Sequence, residues 1–192
     1  MTVHAQQRFQ TAGDRAIRLH PDDRVALFID GANFFSATRA LGIDVDYRRL
    51  LDHFSARCRL RRAFYYTVLF EGEDYTPIRP LVDWLDYNGF TVISKTAREI
   101  TEGAVRKRPR DMNIELACDM MDMAESLDHA VLFSGDGDFS PLVAAMQRRD
   151  VRVTVVSTLR SSACTVSDEL RRQADGFCDL ADLAPVLART KP

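Results

Sequence analysis

A chain of 192 residues with 46% hydrophobic and 28% charged residues has the size and balance of one folded domain, not of a disordered or fibrous polymer. Its formal net charge of −2 excludes a polycation, so an anionic partner must be met by local clusters of Lys and Arg. No stretch reaches the roughly 20 apolar residues of a bilayer span. Cys58, Cys118, Cys164 and Cys178 form no C-x-x-C pair and lie in or beside apolar runs, which fits buried, reduced thiols.

Residues 1–22 mix Gln, Arg, Asp and Thr without an apolar signal core and read as an N-terminal tail. Residues 23–188 read as the domain and 189–192 as a C-terminal tail. The cytoplasm is the expected compartment. Residues 24–30, RVALFID, form a short apolar run ending in an acid and predict a buried strand. A helical pattern follows to about Arg57. Residues 63–70, AFYYTVLF, predict a second strand, and 77–88 a helix that stops at Asn88-Gly89. Residues 90–94 predict strand three, and 96–110 a loop punctuated by Gly103 and Pro109. Residues 112–124 predict a helix in which Ile114, Leu116, Ala117, Met120 and Met121 alternate with acids. A fourth strand at 129–133, a helix at 139–149, a fifth strand at 151–156 and a helix near 162–172 follow. Residues 177–180 suggest a short last strand before a closing helix to about Ala188. Alternating strands and helices imply an α/β fold with a mostly parallel sheet of five to six strands, covered on both faces.

Ligands of such sheets bind beyond the carboxyl ends of the strands, at the point where strand order reverses. With the order 3-2-1-4-5, strands one and four are neighbours there. The first ends at Asp30 in IDGANFF, and the fourth runs into Asp136 and Asp138 in SGDGDF. In RDMNIELACDMMDM, Asp111, Glu115 and Asp119 share one helix face with Asn113 beside it, and the first turn leans over the same crevice. Carboxylates crowded together repel, and Mg²⁺ or Mn²⁺ with retained waters is the usual resolution. Such an ion activates water and clamps a phosphate.

Other uses of these residues compete. Asp138 could cap the helix after it, although Ser140-Pro141 can start that helix unaided. Asp136 has no evident structural duty. Asn33 is equally a cap of the first helix, and Asp111 suits a cap of the helix at 112. His4, His20, His53 and His129 are scattered and read as solvated or structural. Tyr65, Tyr66 and Tyr75 read as packing. Arg98, Arg106, Lys107, Arg108 and Arg110 make the segment before the middle helix basic, suited to an anionic polymer entering from the rim. A P-loop and a dinucleotide fingerprint are absent, and an EF-hand starting at Asp136 fails at Pro141 and Gln147. An aspartyl-phosphate hydrolase would need a second acid where Ala32 stands.

FIDGANFF, then DMNIELACDMM, then LFSGDGDFSPLV together resemble the NYN domain proteins of the LabA-like group, relatives of PIN-domain ribonucleases. The resemblance spans about residues 23–187. It implies a three-layer α/β/α PIN-like fold and metal-dependent RNA cleavage, with Asp30, Asn33, Asp136 and Asp138 carried over as site residues. Family members commonly carry an aspartate where this chain has Asn113, and Lys-Gly near Arg108-Pro109-Arg110.

The leading expectation is a ribonuclease with a Mg²⁺ or Mn²⁺ site. Asp30 and Asp136 are its main ligands; Asp138 and Asn113 are secondary ligands or hold metal-bound water. Asn33, Lys107, Arg108 and Arg110 contact the substrate. The expected partner is RNA, single-stranded or structured, with no membrane and with a homodimer left open. The alternative is a catalytically weakened RNA-binding or regulatory module, favoured by Asn113. A phosphatase acting on a small molecule is a third option.

Overall fold

The computed structural model describes residues 17–71, 78–98, 100–102, 105–107, 111–161 and 165–189, the side chains of 70, 71, 98, 100–102 and 105–107 aside. In chain order the elements are β1 (Arg24–Asp30), α1 (Gly31–Ala40), α2 (Tyr47–Ser55), β2 (Arg59–Glu71), α3 (Arg79–Tyr87), β3 (Thr91–Arg98), β4 (Ile100–Glu102) and β5 (Val105–Lys107). Then come α4 (Asn113–Met123), β6 (His129–Phe133), α5 (Ser140–Gln147), β7 (Arg152–Ser157), α6 (Asp168–Gln173), β8 (Gly176–Asp179) and α7 (Leu180–Leu187).

Six strands form one sheet in the order β3-β2-β1-β6-β7-β8, and every pairing in it is parallel. In chain order within the sheet this is 3-2-1-4-5-6, the predicted order with the short last strand added. The alternation of buried side chains along β1 explains the three layers. Val25, Leu27 and Ile29 pack with Phe34 of α1, Leu50 of α2, Leu85 of α3 and Leu183 of α7. Ala26 and Phe28 face the other way, onto Leu116 and Met120 of α4, Val143 of α5 and Leu170 of α6. Each such fully buried side chain contributes about 1.5–3 kcal/mol of transfer free energy. Rings lock both layers: Phe28 stacks on Phe64 with centroids 5.2 Å apart, and Phe34 meets Phe133 edge-on at 5.5 Å. No helix among the described residues is long and apolar enough to cross a membrane.

Three local readings need correction. The helix expected to run to about Arg57 is two helices. Gly42, at φ 67°, ends the first, and the Asp46 carboxylate caps the second by accepting from the Arg48 and Arg49 amides. The expected loop at 96–110 instead contains the end of β3 and an antiparallel hairpin pairing Ile100 with Lys107. Of the cysteines, Cys58 and Cys178 are buried, but Cys118 is exposed on α4 and Cys164 lies outside the described residues.

Candidate functional site

β1 and β6 lie side by side, with Ile29 in register with Phe133, so the residues after their carboxyl ends meet in one crevice. Asp30 is the N-cap of α1; its Oδ1 accepts from the Asn33 amide at 3.3 Å. Its Oδ2 accepts from the Ser134 hydroxyl at 2.9 Å. The Ser134 oxygen in turn accepts from the Asp136 backbone amide at 3.2 Å, which ties the Asp30 carboxylate to the turn that carries Asp136. The first turn of α1 packs tightly onto β2 because position 31 has no side chain. A Cβ there would stand 2.5 Å from the Tyr66 carbonyl oxygen.

Burial raises the Asp30 carboxyl above the ordinary aspartate range, and the nearby Asp136 charge pushes the same way. The donors from Asn33, Ser134 and Ala32 oppose the shift. All of these donors are neutral. Among the described residues no cation pairs with Asp30 or Asp136, and the donors they show are neutral.

The helix before β6 supplies a further donor. Asn113, the first residue of α4, gives its Nδ2–H to Asp136 Oδ2 at 2.9 Å. The opposite amide orientation would set two acceptor oxygens against each other, so the carboxylate fixes it. An aspartate at 113 could not make this bond at neutral pH. Asn33 turns out to bridge rather than cap: its Oδ1 accepts from the Gly135 amide at 2.9 Å, tying α1 to the turn after β6.

Several expected roles shift. Asp136 does have a structural duty: its Oδ1 accepts from the Asp138 amide at 3.0 Å and caps a 3₁₀ turn at Gly137–Phe139. Asp138 itself is exposed in that turn. Ser140 is not an N-cap; its hydroxyl donates to the Gly137 carbonyl, while Phe139 holds the cap position without a side-chain bond. Asp111 is exposed and caps nothing, since Met112 is the N-cap of α4. Glu115 is tied to Lys95 of β3 at 2.6 Å, which holds its carboxyl below the usual range. Asp119 accepts from the Tyr66 hydroxyl at 2.9 Å, and burial with that carboxylate raises the phenol. Both acids are therefore occupied. Arg108, Arg110 and Tyr75 lie outside the described residues, and Lys107 is described only in its backbone. Sequence reasoning missed the Ser134 hydroxyl that ties Asp30 to the turn carrying Asp136.

Among the described residues no three His, Cys, Asp or Glu side chains gather as a ready-made metal cluster. What the crevice offers is a carboxylate pair, Asp30 and Asp136, with hydroxyl and amide groups around it. That donor set fits Mg²⁺ or Mn²⁺, which keep several waters and are usually held through one or two carboxylates. Among the described residues no His or Cys stands with the pair, so the donor set there is not that of a zinc site.

Comparison with known proteins matches the NYN domain family model over residues 24–181. The chain is 33% identical over 170 residues to the low amplitude and bright protein LabA of Synechococcus elongatus, covering 88% of this chain and 89% of that one. A solved protein of unknown function from Vibrio parahaemolyticus superposes with a TM-score of 0.69 at 25% identity, covering 89% of this chain and 99% of that one. The MAR1 ribonuclease of Caenorhabditis elegans, at a TM-score of 0.39 and 12% identity, is too distant in shape to bear on activity.

Proposed function

This chain belongs to the NYN domain family, and from that premise we propose that it is a metal-dependent ribonuclease whose site is built on Asp30 and Asp136. The observation that carries the proposal is the acid pair itself: two half-buried carboxylates, Asp30 raised by burial and then by the Asp136 charge, with no cation on either among the described residues. An arrangement held only by neutral donors is costly for folding alone and is suited to receive a divalent ion.

Mg²⁺ or Mn²⁺ bound here would supply Lewis acidity toward a phosphodiester and a water acidic enough to attack it. The chain's own residues do the positioning. Asp30 and Asp136 would hold the ion. Asn113 holds the Asp136 carboxylate in one rotamer, which leaves its own carbonyl oxygen to accept from bound water. Asn33 fixes the Gly135 turn. Asp138, exposed beside the pair, can accept a proton from water at the mouth. The basic residues of 106–110 would guide the RNA backbone to this edge.

The test is labelled single-stranded RNA incubated with Mn²⁺ or EDTA. Cleavage that needs the metal and falls on the order of 10²–10³-fold in Asp136→Asn, the usual loss when one charge-stabilising group is removed, supports the enzyme. Metal-independent cleavage, or a rate untouched by that substitution, would sink it. The second reading, an RNA-binding module of reduced activity, is favoured by the Asn113 bond to Asp136, which makes the site one charge poorer. RNA binding without cleavage would select it.

A further inference from the structure

Asp136 stands between two glycines, and the backbone requires neither of them. The left-handed glycines among the described residues are Gly42 and Gly89. At Gly135 and Gly137, serine side chains stand where a side chain of the turn would be. A Cβ at Gly137 would lie 2.9 Å from the Ser167 hydroxyl oxygen and 3.2 Å from the Ser167 Cβ. A Cβ at Gly135 would lie 2.7 Å from the Ser157 hydroxyl oxygen and 3.1 Å from the Val166 Cα. All four approaches are closer than van der Waals contact.

Both serines come from the β7 side of the turn. Ser157 ends β7, which lies beside β6 on the flank opposite β1. Ser167 stands just before α6, in the N-cap position, with extended backbone at φ −60° and ψ 135°. A serine there ordinarily turns its oxygen onto the first helix amides. Ser167 makes no such bond, and its hydroxyl lies against Gly137. Its backbone amide donates to the Gly135 carbonyl at 2.9 Å, while the Gly135 amide is held by Asn33 from the α1 side. Gly135 is thus fastened on both flanks, Gly137 is abutted on one, and Asp136 sits between them. Ser157 backs this arrangement. It is 2% exposed, and its hydroxyl meets no hydrogen-bond partner among the described residues. A buried hydroxyl without a partner costs stability, so folding alone does not favour it against Gly135.

We propose that Ser167, backed by Ser157, is a positioning residue for Asp136: it clamps the Gly135–Gly137 turn from the β7 side and so fixes where the Asp136 carboxylate stands relative to Asp30. This rests on the metal-site reading and adds to it a residue that acts through the turn without touching the ion. The bonds of Asp136 show why the clamp matters. Its Oδ1 accepts from the Asp138 amide inside the same turn, and its Oδ2 accepts from Asn113. The first bond travels with the turn, so the anchorage of the turn decides the place of the carboxylate. Groups behind a metal ligand act on affinity in this way.

The test is calorimetric titration of Mn²⁺ into the full chain well below its melting temperature, with melting curves taken in parallel. Ser167→Ala removes a hydroxyl that caps nothing, so the melting temperature should stay that of the native chain while Mn²⁺ affinity falls about tenfold. Gly137→Ala drives a Cβ into the same space and should weaken Mn²⁺ likewise. Gly137→Ala combined with Ser167→Gly removes both clashing atoms and lets the new methyl fill the gap. Affinity should then return toward the native value, a coupling that two independent losses do not give. Should Gly137→Ala fail to fold, Ser167→Ala alone decides. Native Mn²⁺ affinity in Ser167→Ala overturns the clamp and leaves the acid pair as the metal site. A loss of affinity matched by a fall in melting temperature assigns Ser167 to the fold and overturns it too, as do losses that simply add in the double variant. A native chain that takes up no Mn²⁺ removes the metal-site reading and the clamp with it.

Discussion

Two groups of aspartates, at opposite edges of the sheet, are held in opposite ways. At the amino edge, Asp128 takes two bonds from the Arg24 guanidinium, at 2.8 and 3.0 Å, and one from the Arg24 amide at 2.8 Å. Asp23 is paired with Arg152 at 2.6 Å. The Arg24 contacts pull the Asp128 carboxyl down to about 2. At the carboxyl edge Asp30 has only neutral donors among the described residues, and burial sends its pKa up. The same residue type is thus a paired structural anion at one edge and, among the described residues, one without a cation at the other. Folding alone explains the first arrangement. The second is the arrangement that the proposed Mg²⁺ or Mn²⁺ would complete.

The contrast can be broken from either side. Its largest consequence is the loss of cleavage in Asp136→Asn described above, against no loss when the paired Asp128 is replaced by Asn. Next is acid sensitivity at the amino edge. His129 is buried, with its ring bonded to Thr154 at 2.8 Å, and burial followed by the Arg152 charge lowers its pKa to about 4. Folding therefore favours the neutral ring. That contribution is complete above the unfolded value of about 6.5 and is lost as pH falls from there toward 4, amounting to on the order of 3 kcal/mol at the acid end. Denaturant melts of the native chain and His129→Asn should converge as pH drops through this window; parallel curves would show that His129 carries no such linkage.

A smaller effect sharpens the carboxyl edge. Asn113→Asp removes the donor to Asp136 and adds a third carboxylate, so Mn²⁺ affinity should rise on the order of tenfold, the scale on which groups around a metal site act. Thermal shift against Mn²⁺ concentration measures this without any activity. An unchanged midpoint would mean that position 113 does not face the ion. The smallest effect concerns stability. Because the Asp30 pKa is raised, its ionised form costs the fold something at neutral pH and the cost fades as pH falls through that pKa. Asp30→Asn keeps the capping oxygen and removes the charge, so its melting temperature at pH 7 should rise while its activity is lost. A fall would show the charge to be stabilising.

The sequence made the frame legible because the frame rests on patterns it carries openly. Apolar runs ending in Asp30 and leading into Asp136 placed two strands and the crevice between them. The hairpin at 100–107 escaped notice because its strands have three residues each and alternate too briefly to stand out from a loop. The break between α1 and α2 was signalled by Gly42 and Asp46, but a continuous apolar pattern overrode it. The hydrogen bonds of the site were beyond periodicity altogether. That Asp119 belongs to Tyr66, Glu115 to Lys95 and Asn113 to Asp136 depends on which side chains β2, β3 and the turn after β6 bring within 3 Å of one helix.

The central proposal is that the Asp30–Asp136 pair, which meets no cation among the described residues, takes a divalent ion. Calorimetric titration of Mn²⁺ into the native chain, Asp136→Asn and Asp128→Asn tests it directly. The account predicts one saturable site in the native chain, its loss in Asp136→Asn and its retention in Asp128→Asn. No saturable site in the native chain, or one that survives Asp136→Asn, would contradict it.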